Sequence, residues 1–102
     1  MTIELRNNKL YNENNEVAVA VSGGFGAGWS TWNDVSATDG EFNLFIYNED
    51  IAGAQALAAS RNLYDGGLED CRLAWLPEGS SYRIEEYDGS ESLITTDDFL
   101  IV

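Results

Sequence analysis

The clearest hydrophobic pattern in the chain is the stretch "EVAVAVS" at residues 16–22, where apolar side chains occupy both phases of a strand. Its valines would face one side of a sheet, and its alanines would face the other. A strand that is apolar in both phases is typical of the centre of a sheet that is covered on both sides. The pattern therefore predicts a central strand, which the following glycines end.

Shorter stretches around it predict further strands, with small polar residues at the turns. Residues 2–6 and 9–11 predict an edge hairpin around Asn7-Asn8, because asparagine tolerates turn conformations. Asp88-Gly89 is a second hairpin signal. The last third of the chain predicts antiparallel strands that turn at 77–79, namely 71–76, 81–88, "SLITT" and "FLIV".

Between these strands the hydrophobic period changes to that of a helix. Phe42, Phe45 and Ile46 predict a short helix, and Asn48 is a candidate N-cap for a second, longer helix that ends near Asn62. The order β, α, α, β, β, β predicts one α+β domain over residues 1–102. We expect a mostly antiparallel sheet of four to five strands with both helices packed on one face.

Charge is the strongest signal in the composition. Five basic residues against eighteen acidic ones give a net charge of −13 at pH 7. Direct binding of nucleic acid is disfavoured, because phosphate contacts need clustered lysine and arginine. An anionic surface instead favours a basic protein partner, including a groove that normally holds DNA or RNA. Acidity that serves only solubility fits the same composition.

The residue types exclude several kinds of chemistry. The chain has no histidine and a single cysteine, Cys71, which excludes an internal disulfide and argues against a zinc site. Ser30 lacks the G-x-S-x-G context of a hydrolase nucleophile, and adjacent acids on a strand point to opposite faces. We expect no catalytic residue, cofactor or metal, and we expect Cys71 to be a small buried hydrophobe.

The start of the chain, "MTIELRNNKLY", has neither the basic nor the apolar region of a signal peptide. The longest apolar run, "VAVAV", is far too short to cross a bilayer. We expect a soluble protein of the cytoplasm that makes no membrane contact.

The stretch "SGGFGAGWSTWND" at residues 22–34 combines glycines with two tryptophans. Its glycine spacing matches neither the dinucleotide fingerprint nor the P-loop, and no lysine follows it. Two interpretations stay open. The rings of Phe25, Trp29 and Trp32 cap the core at a glycine-rich corner, or they project from a surface loop, with Trp29 and Trp32 as anchors for a partner.

The stretch "YRIEEYDGSES" at residues 82–92 also has two interpretations. Arg83 and Glu85 share one face of a strand and predict an ion pair beside a tight turn. Alternatively, four acids form a ridge that imitates phosphates, and these are Glu85, Glu86, Asp88 and Glu91.

Together these two stretches resemble a group of small phage and prophage proteins of unknown function. Members of that group carry a GxGAGWSTWN-like segment, here "GGFGAGWSTWN" at 23–33. They also carry a later tryptophan–proline–glycine segment that continues into an RIxEYDGxES-like motif. The second segment is matched here by Trp75, Leu76, Pro77, Gly79, Tyr82, Arg83, Ile84, Glu86, Tyr87, Asp88, Gly89, Glu91 and Ser92. The resemblance covers most of residues 17–92, and it implies a phage or mobile-element origin and an intracellular α+β domain.

Small acidic phage proteins include inhibitors of host defence, such as anti-CRISPR proteins and DNA mimics, and this role is an analogy. The leading hypothesis is a non-enzymatic phage protein in the host bacterial cytoplasm, whose acidic surface occludes the basic nucleic-acid-binding groove of a CRISPR or other defence complex. The alternatives are a small-ligand or nucleotide binder that uses loop 23–33, and a small carboxylate-based hydrolase. A homodimer is compatible with the sequence. The predicted partner-binding residues are Glu69, Asp70, Glu85, Glu86, Asp88, Glu91, Asp97, Asp98, Trp29 and Trp32.

Overall fold

The computed structural model describes residues 2–95 and 100–102, and over these the chain has two helices and seven strands. The α+β class is therefore confirmed. No helix within the described ranges is long and apolar enough to cross a membrane. In chain order the elements are β1 (Ile3–Arg6), β2 (Lys9–Asn12), β3 (Glu16–Ser22), α1 (Gly40–Tyr47), α2 (Ile51–Ser60), a short 3-10 helix (Leu68–Asp70), β4 (Cys71–Pro77), β5 (Ser81–Tyr87), β6 (Ser90–Ile94) and β7 (Leu100–Ile101).

The strands form two antiparallel sheets rather than the single sheet that the sequence predicts. One has the order β1-β2-β3-β4 and the other the order β6-β5-β7. The sheets separate at the turn after β4. There Gly79 N donates to Val102 O at 2.8 Å, and Val102 N donates to Ser80 O at 3.0 Å. The C-terminal segment thus pairs with the start of β5, while β4 pairs along its whole length with β3.

Strand β3 lies at the centre of the molecule, as its double apolar pattern predicts. Its valines pack with Tyr11, Tyr82 and Val102 in a cluster that joins the two sheets. Ala20, on the opposite face, packs in the cluster that contains the helices. The small alanines let the helices approach closely, and the valines fill the space between the sheets. The fold therefore has helices on one side of the first sheet and the second sheet on the other.

Both helices begin with an aspartate cap. Asp39 accepts hydrogen bonds from the N–H groups of Glu41 and Phe42 at the start of α1, and Asp50 accepts one from Gly53 N at the start of α2. The prediction that Asn48 caps the second helix is wrong. Helix α1 continues to Tyr47, and the N–H of Asn48 donates a hydrogen bond to the carbonyls at the C-terminal end of this helix. Glu49 then takes a left-handed conformation, with φ of 58°, to redirect the chain.

The two predicted hairpin turns are confirmed by their backbone angles. Asn7 and Asn8 have φ of 50° and 60°, and Asp88 and Gly89 have φ of 49° and 85°. Left-handed angles at both central residues match the right-handed twist of the flanking strands. The second of these turns carries β6 back along β5 and so delivers Glu91 to the glycine–tryptophan stretch.

Candidate functional site

Glu91 lies on β6 and is only 2% exposed. Its Oε1 accepts a hydrogen bond from Ser22 N at 3.0 Å, where β3 ends. Its Oε2 accepts bonds from Trp29 N at 2.9 Å, from Thr31 N at 3.0 Å and from Thr31 Oγ1 at 2.6 Å. One buried carboxylate therefore joins the second sheet to both ends of residues 22–31, which we call the glycine stretch.

This arrangement resembles an anion-binding loop in which the anion belongs to the protein itself. Backbone N–H groups that converge on one point are what phosphate-binding loops provide, and here they converge on Glu91. The N–H groups of Gly26 and Gly28 donate instead to the carbonyls of the Asp88-Gly89 turn. These donors are therefore already used within the chain, and the geometry does not favour a nucleotide on residues 23–33.

Trp29 is a core residue, with an exposed fraction of 0%. Its ring lies 4.7 Å from that of Phe42, edge to face, between the first sheet and the helices. The prediction that Trp29 is a surface anchor is wrong, and the interpretation of a packed corner is correct for this ring. The prediction of Glu91 as part of an exposed ridge is wrong as well, because the carboxylate is needed to satisfy buried N–H groups.

Four exposed aromatic rings surround the same stretch, and we call them the aromatic surface: Phe25, Trp32, Tyr64 and Tyr87. They form two pairs. Phe25 and Tyr87 are 75% and 73% exposed, with ring centroids 6.3 Å apart. Trp32 and Tyr64 are 43% and 47% exposed, with centroids 5.6 Å apart. The Tyr64 hydroxyl donates to Gly26 O at 3.0 Å, which fixes the second pair to the glycine stretch.

Two glycines bring these pairs together because they have no side chain. A Cβ on Gly28 would lie 2.3 Å from Trp32 Cδ2, and a Cβ on Gly89 would lie 2.9 Å from Trp32 Cζ2. The same Cβ on Gly89 would lie 2.8 Å from Ala27 N. The Trp32 ring therefore packs directly on backbone, and the turn that follows Tyr87 lies against the glycine stretch.

Three of the predicted acidic residues border the aromatic surface. The Asp70 carboxylate lies against Gly24, since a Cβ there would be 2.5 Å from Asp70 Oδ2. Glu86 accepts a hydrogen bond from Gly89 N at 2.8 Å, and Asp88 is exposed in the turn itself.

The remaining predicted acids lie elsewhere. Glu85 is exposed and forms an ion pair with Arg83 at 3.1 Å, as the strand phase predicts. Glu69 lines a depression of about 410 Å³ between α1 and β4, together with Arg72 and Trp75. Asp97 and Asp98 lie outside the described residues.

Three residues of the aromatic surface, Phe25, Tyr64 and Tyr87, are absent from the predicted partner-binding residues. Tyr87 had a usable signal, because it shares its strand phase with Arg83 and Glu85 and so faces outward. Tyr64 had none, because a distant residue holds it. Asn33 accepts a bond from Tyr64 N at 2.8 Å and donates to Tyr64 O at 2.9 Å.

Cys71 packs as a small hydrophobic residue, as the sequence predicts, but it is half-buried rather than buried. It packs beside the cluster under the helices. Burial, with smaller contributions from Glu91 and Asp70, raises the pKa of its thiol to about 12. The thiol is therefore protonated at neutral pH. Within residues 2–95 and 100–102, no group of three or more potential ligands is placed to hold a metal ion.

Comparisons with models of protein families, with curated proteins and with solved structures found no match.

Proposed function

We propose that the protein is a non-enzymatic binding protein whose acidic surface docks on a basic, nucleic-acid-binding groove of a host defence protein. Docking there would exclude the nucleic acid. The resemblance to small phage and prophage proteins supports a phage origin and action in the bacterial cytoplasm. A CRISPR complex is one candidate target, and this choice is an analogy.

The observation that carries the proposal is that three of the five basic side chains form ion pairs with acids of the same chain. Arg61 pairs with Asp39 and Glu41, each at 2.9 Å. Arg83 pairs with Glu85 at 3.1 Å, and Arg6 lies 3.5 Å from Glu4. These guanidinium groups are neutralised within the chain, while most of the acidic residues around them are exposed. The surface therefore presents an excess of negative charge that complements a lysine- and arginine-lined groove.

Affinity for such a partner should fall steeply with salt. We expect capture of a nucleic-acid-binding protein from nuclease-treated host lysate, and displacement of that protein by duplex DNA or by RNA. Affinity should weaken at least about tenfold between about 50 mM and 200 mM sodium chloride, because screening removes charge steering and pairing. Titration of the purified partner at both salt concentrations measures the change.

A matched pair of variants separates a local contact from a general effect of net charge. The variant Glu85→Gln/Asp88→Asn removes two exposed charges from the β5–β6 hairpin. The variant Glu4→Gln/Glu13→Gln removes two exposed charges from the first sheet, one on its edge strand β1 and one in the turn between β2 and β3. The first should weaken binding more than the second. Affinity that is independent of salt, or a partner that holds nucleic acid and this protein together, would contradict the proposal.

A further inference from the structure

We propose that the aromatic surface is the docking site for an arginine-bearing segment of the partner, with arginine side chains seated against the rings. This inference rests on the proposed function and adds the place of contact and the side chain that is recognised.

The first observation that supports this inference is that four large exposed rings lie close together. Other exposed hydrophobic side chains lie on other elements, such as Leu5 on β1 and Leu100 and Ile101 on β7. Phe25 and Tyr87, by contrast, are each about three-quarters exposed and adjoin the Trp32–Tyr64 pair across the glycine stretch. Contiguous exposed apolar surface marks interaction sites, and aromatic residues dominate the energetics of protein interfaces.

Charge around the rings determines what kind of partner fits. Asp70, Glu86 and Asp88 border the surface, and Arg72, near Gly23, is a cation beside it. A purely apolar partner would leave these carboxylates without a counter-charge. A guanidinium group satisfies both features, because it stacks on aromatic faces and forms two parallel hydrogen bonds to a carboxylate. An ammonium group is more strongly hydrated and offers no planar face.

The chain already uses this chemistry internally. Arg6 lies 3.9 Å over the ring of Tyr11 and is paired with Glu4. Arg61 lies 5.0 Å over the ring of Phe42 and is paired with Asp39. The aromatic surface offers the same combination of ring and acid to a guanidinium group from outside.

The aromatic surface is also held in place before a partner binds. Glu91 fixes both ends of the glycine stretch, and the Asp88-Gly89 turn accepts hydrogen bonds from Gly26 and Gly28. Binding would therefore order few additional groups of this protein, which favours affinity.

Two labelled peptides of equal length and charge test the inference, one of alternating arginine and glycine and one of alternating lysine and glycine. We expect the intact protein to bind the arginine peptide about fivefold to tenfold more tightly, from a few exposed cation–π contacts. The variant Phe25→Ala/Tyr87→Ala should abolish this preference. Both side chains are highly exposed, so the variant should keep its fold, which circular dichroism checks. The control is Ile101→Ala. Ile101 pairs with Ser81 at the start of β5, about 20 Å from Tyr87 at the end of that strand, so this variant should keep the preference.

Equal affinity for both peptides would overturn the inference, and so would an arginine preference that survives Phe25→Ala/Tyr87→Ala. Both results would leave the proposed function standing if the lysate partner still binds with strong salt dependence. If the affinity for the lysate partner does not depend on salt, the proposed function is contradicted, whatever the affinities for the two peptides are.

Discussion

Replacing Glu91 by glutamine should lower the free energy of unfolding by about 3 kcal/mol. The carboxylate accepts four hydrogen bonds, with three of them on Oε2. An amide has a single acceptor oxygen, so in either orientation its NH₂ group faces N–H donors. At least one buried donor then loses its partner. Urea denaturation followed by tryptophan fluorescence measures the change.

The control for this substitution lies on the same hairpin. Glu85→Gln removes the same charge from an exposed side chain that pairs with Arg83 at the surface. Its effect should stay within about 0.5 kcal/mol. A loss of less than about 1 kcal/mol for Glu91→Gln would show that the carboxylate is not the structural link that the hydrogen bonds indicate.

Replacing Gly89 by alanine should cost about 3 kcal/mol or more. Its φ of 85° disfavours any L side chain, at about 1–2 kcal/mol. The new Cβ would also lie 2.8 Å from Ala27 N and 2.9 Å from Trp32 Cζ2, so the hairpin turn must move away from the glycine stretch. Overpacking of this kind adds about 1–3 kcal/mol. The midpoint and slope of a urea transition give the total.

Gly79 supplies the matched control. It has nearly the same φ, 87°, but a Cβ there would meet no atom within 4 Å. Gly79→Ala should therefore show the conformational cost alone, about 1–2 kcal/mol. Equal stability of the two alanine variants would show that the Asp88-Gly89 turn does not pack closely against the glycine stretch, which would contradict the packed corner.

The local features of the fold could be predicted from the sequence because each is encoded by neighbouring residues. The valine–alanine alternation of β3 predicts cover on both faces, and the Asn7-Asn8 and Asp88-Gly89 pairs predict their turns. The division into two sheets could not be predicted in this way. It depends on Val102 pairing across the turn at Gly79–Ser80, and no local pattern reports a contact between such distant segments.

The candidate site was harder to predict for the same reason. The backbone partners of Glu91 are 60 to 69 residues away in sequence, and its local context resembles that of the exposed Glu85 and Glu86. One usable signal existed. The turn at Asp88-Gly89 places Glu91 in the strand phase of Leu93, which packs against the core, and so predicts that Glu91 points inward.

The central claim is that Glu91 holds the glycine–tryptophan stretch in one conformation and so builds the aromatic surface. Hydrogen–deuterium exchange of the Ser22, Trp29 and Thr31 amides, read by NMR, tests it most directly. In the native protein these three amides should exchange at least about a hundredfold more slowly than unprotected amides. In Glu91→Gln they should lose protection more than the other amides of β3 and β4 do. Exchange of the three native amides at the rate of an unprotected loop would contradict the claim.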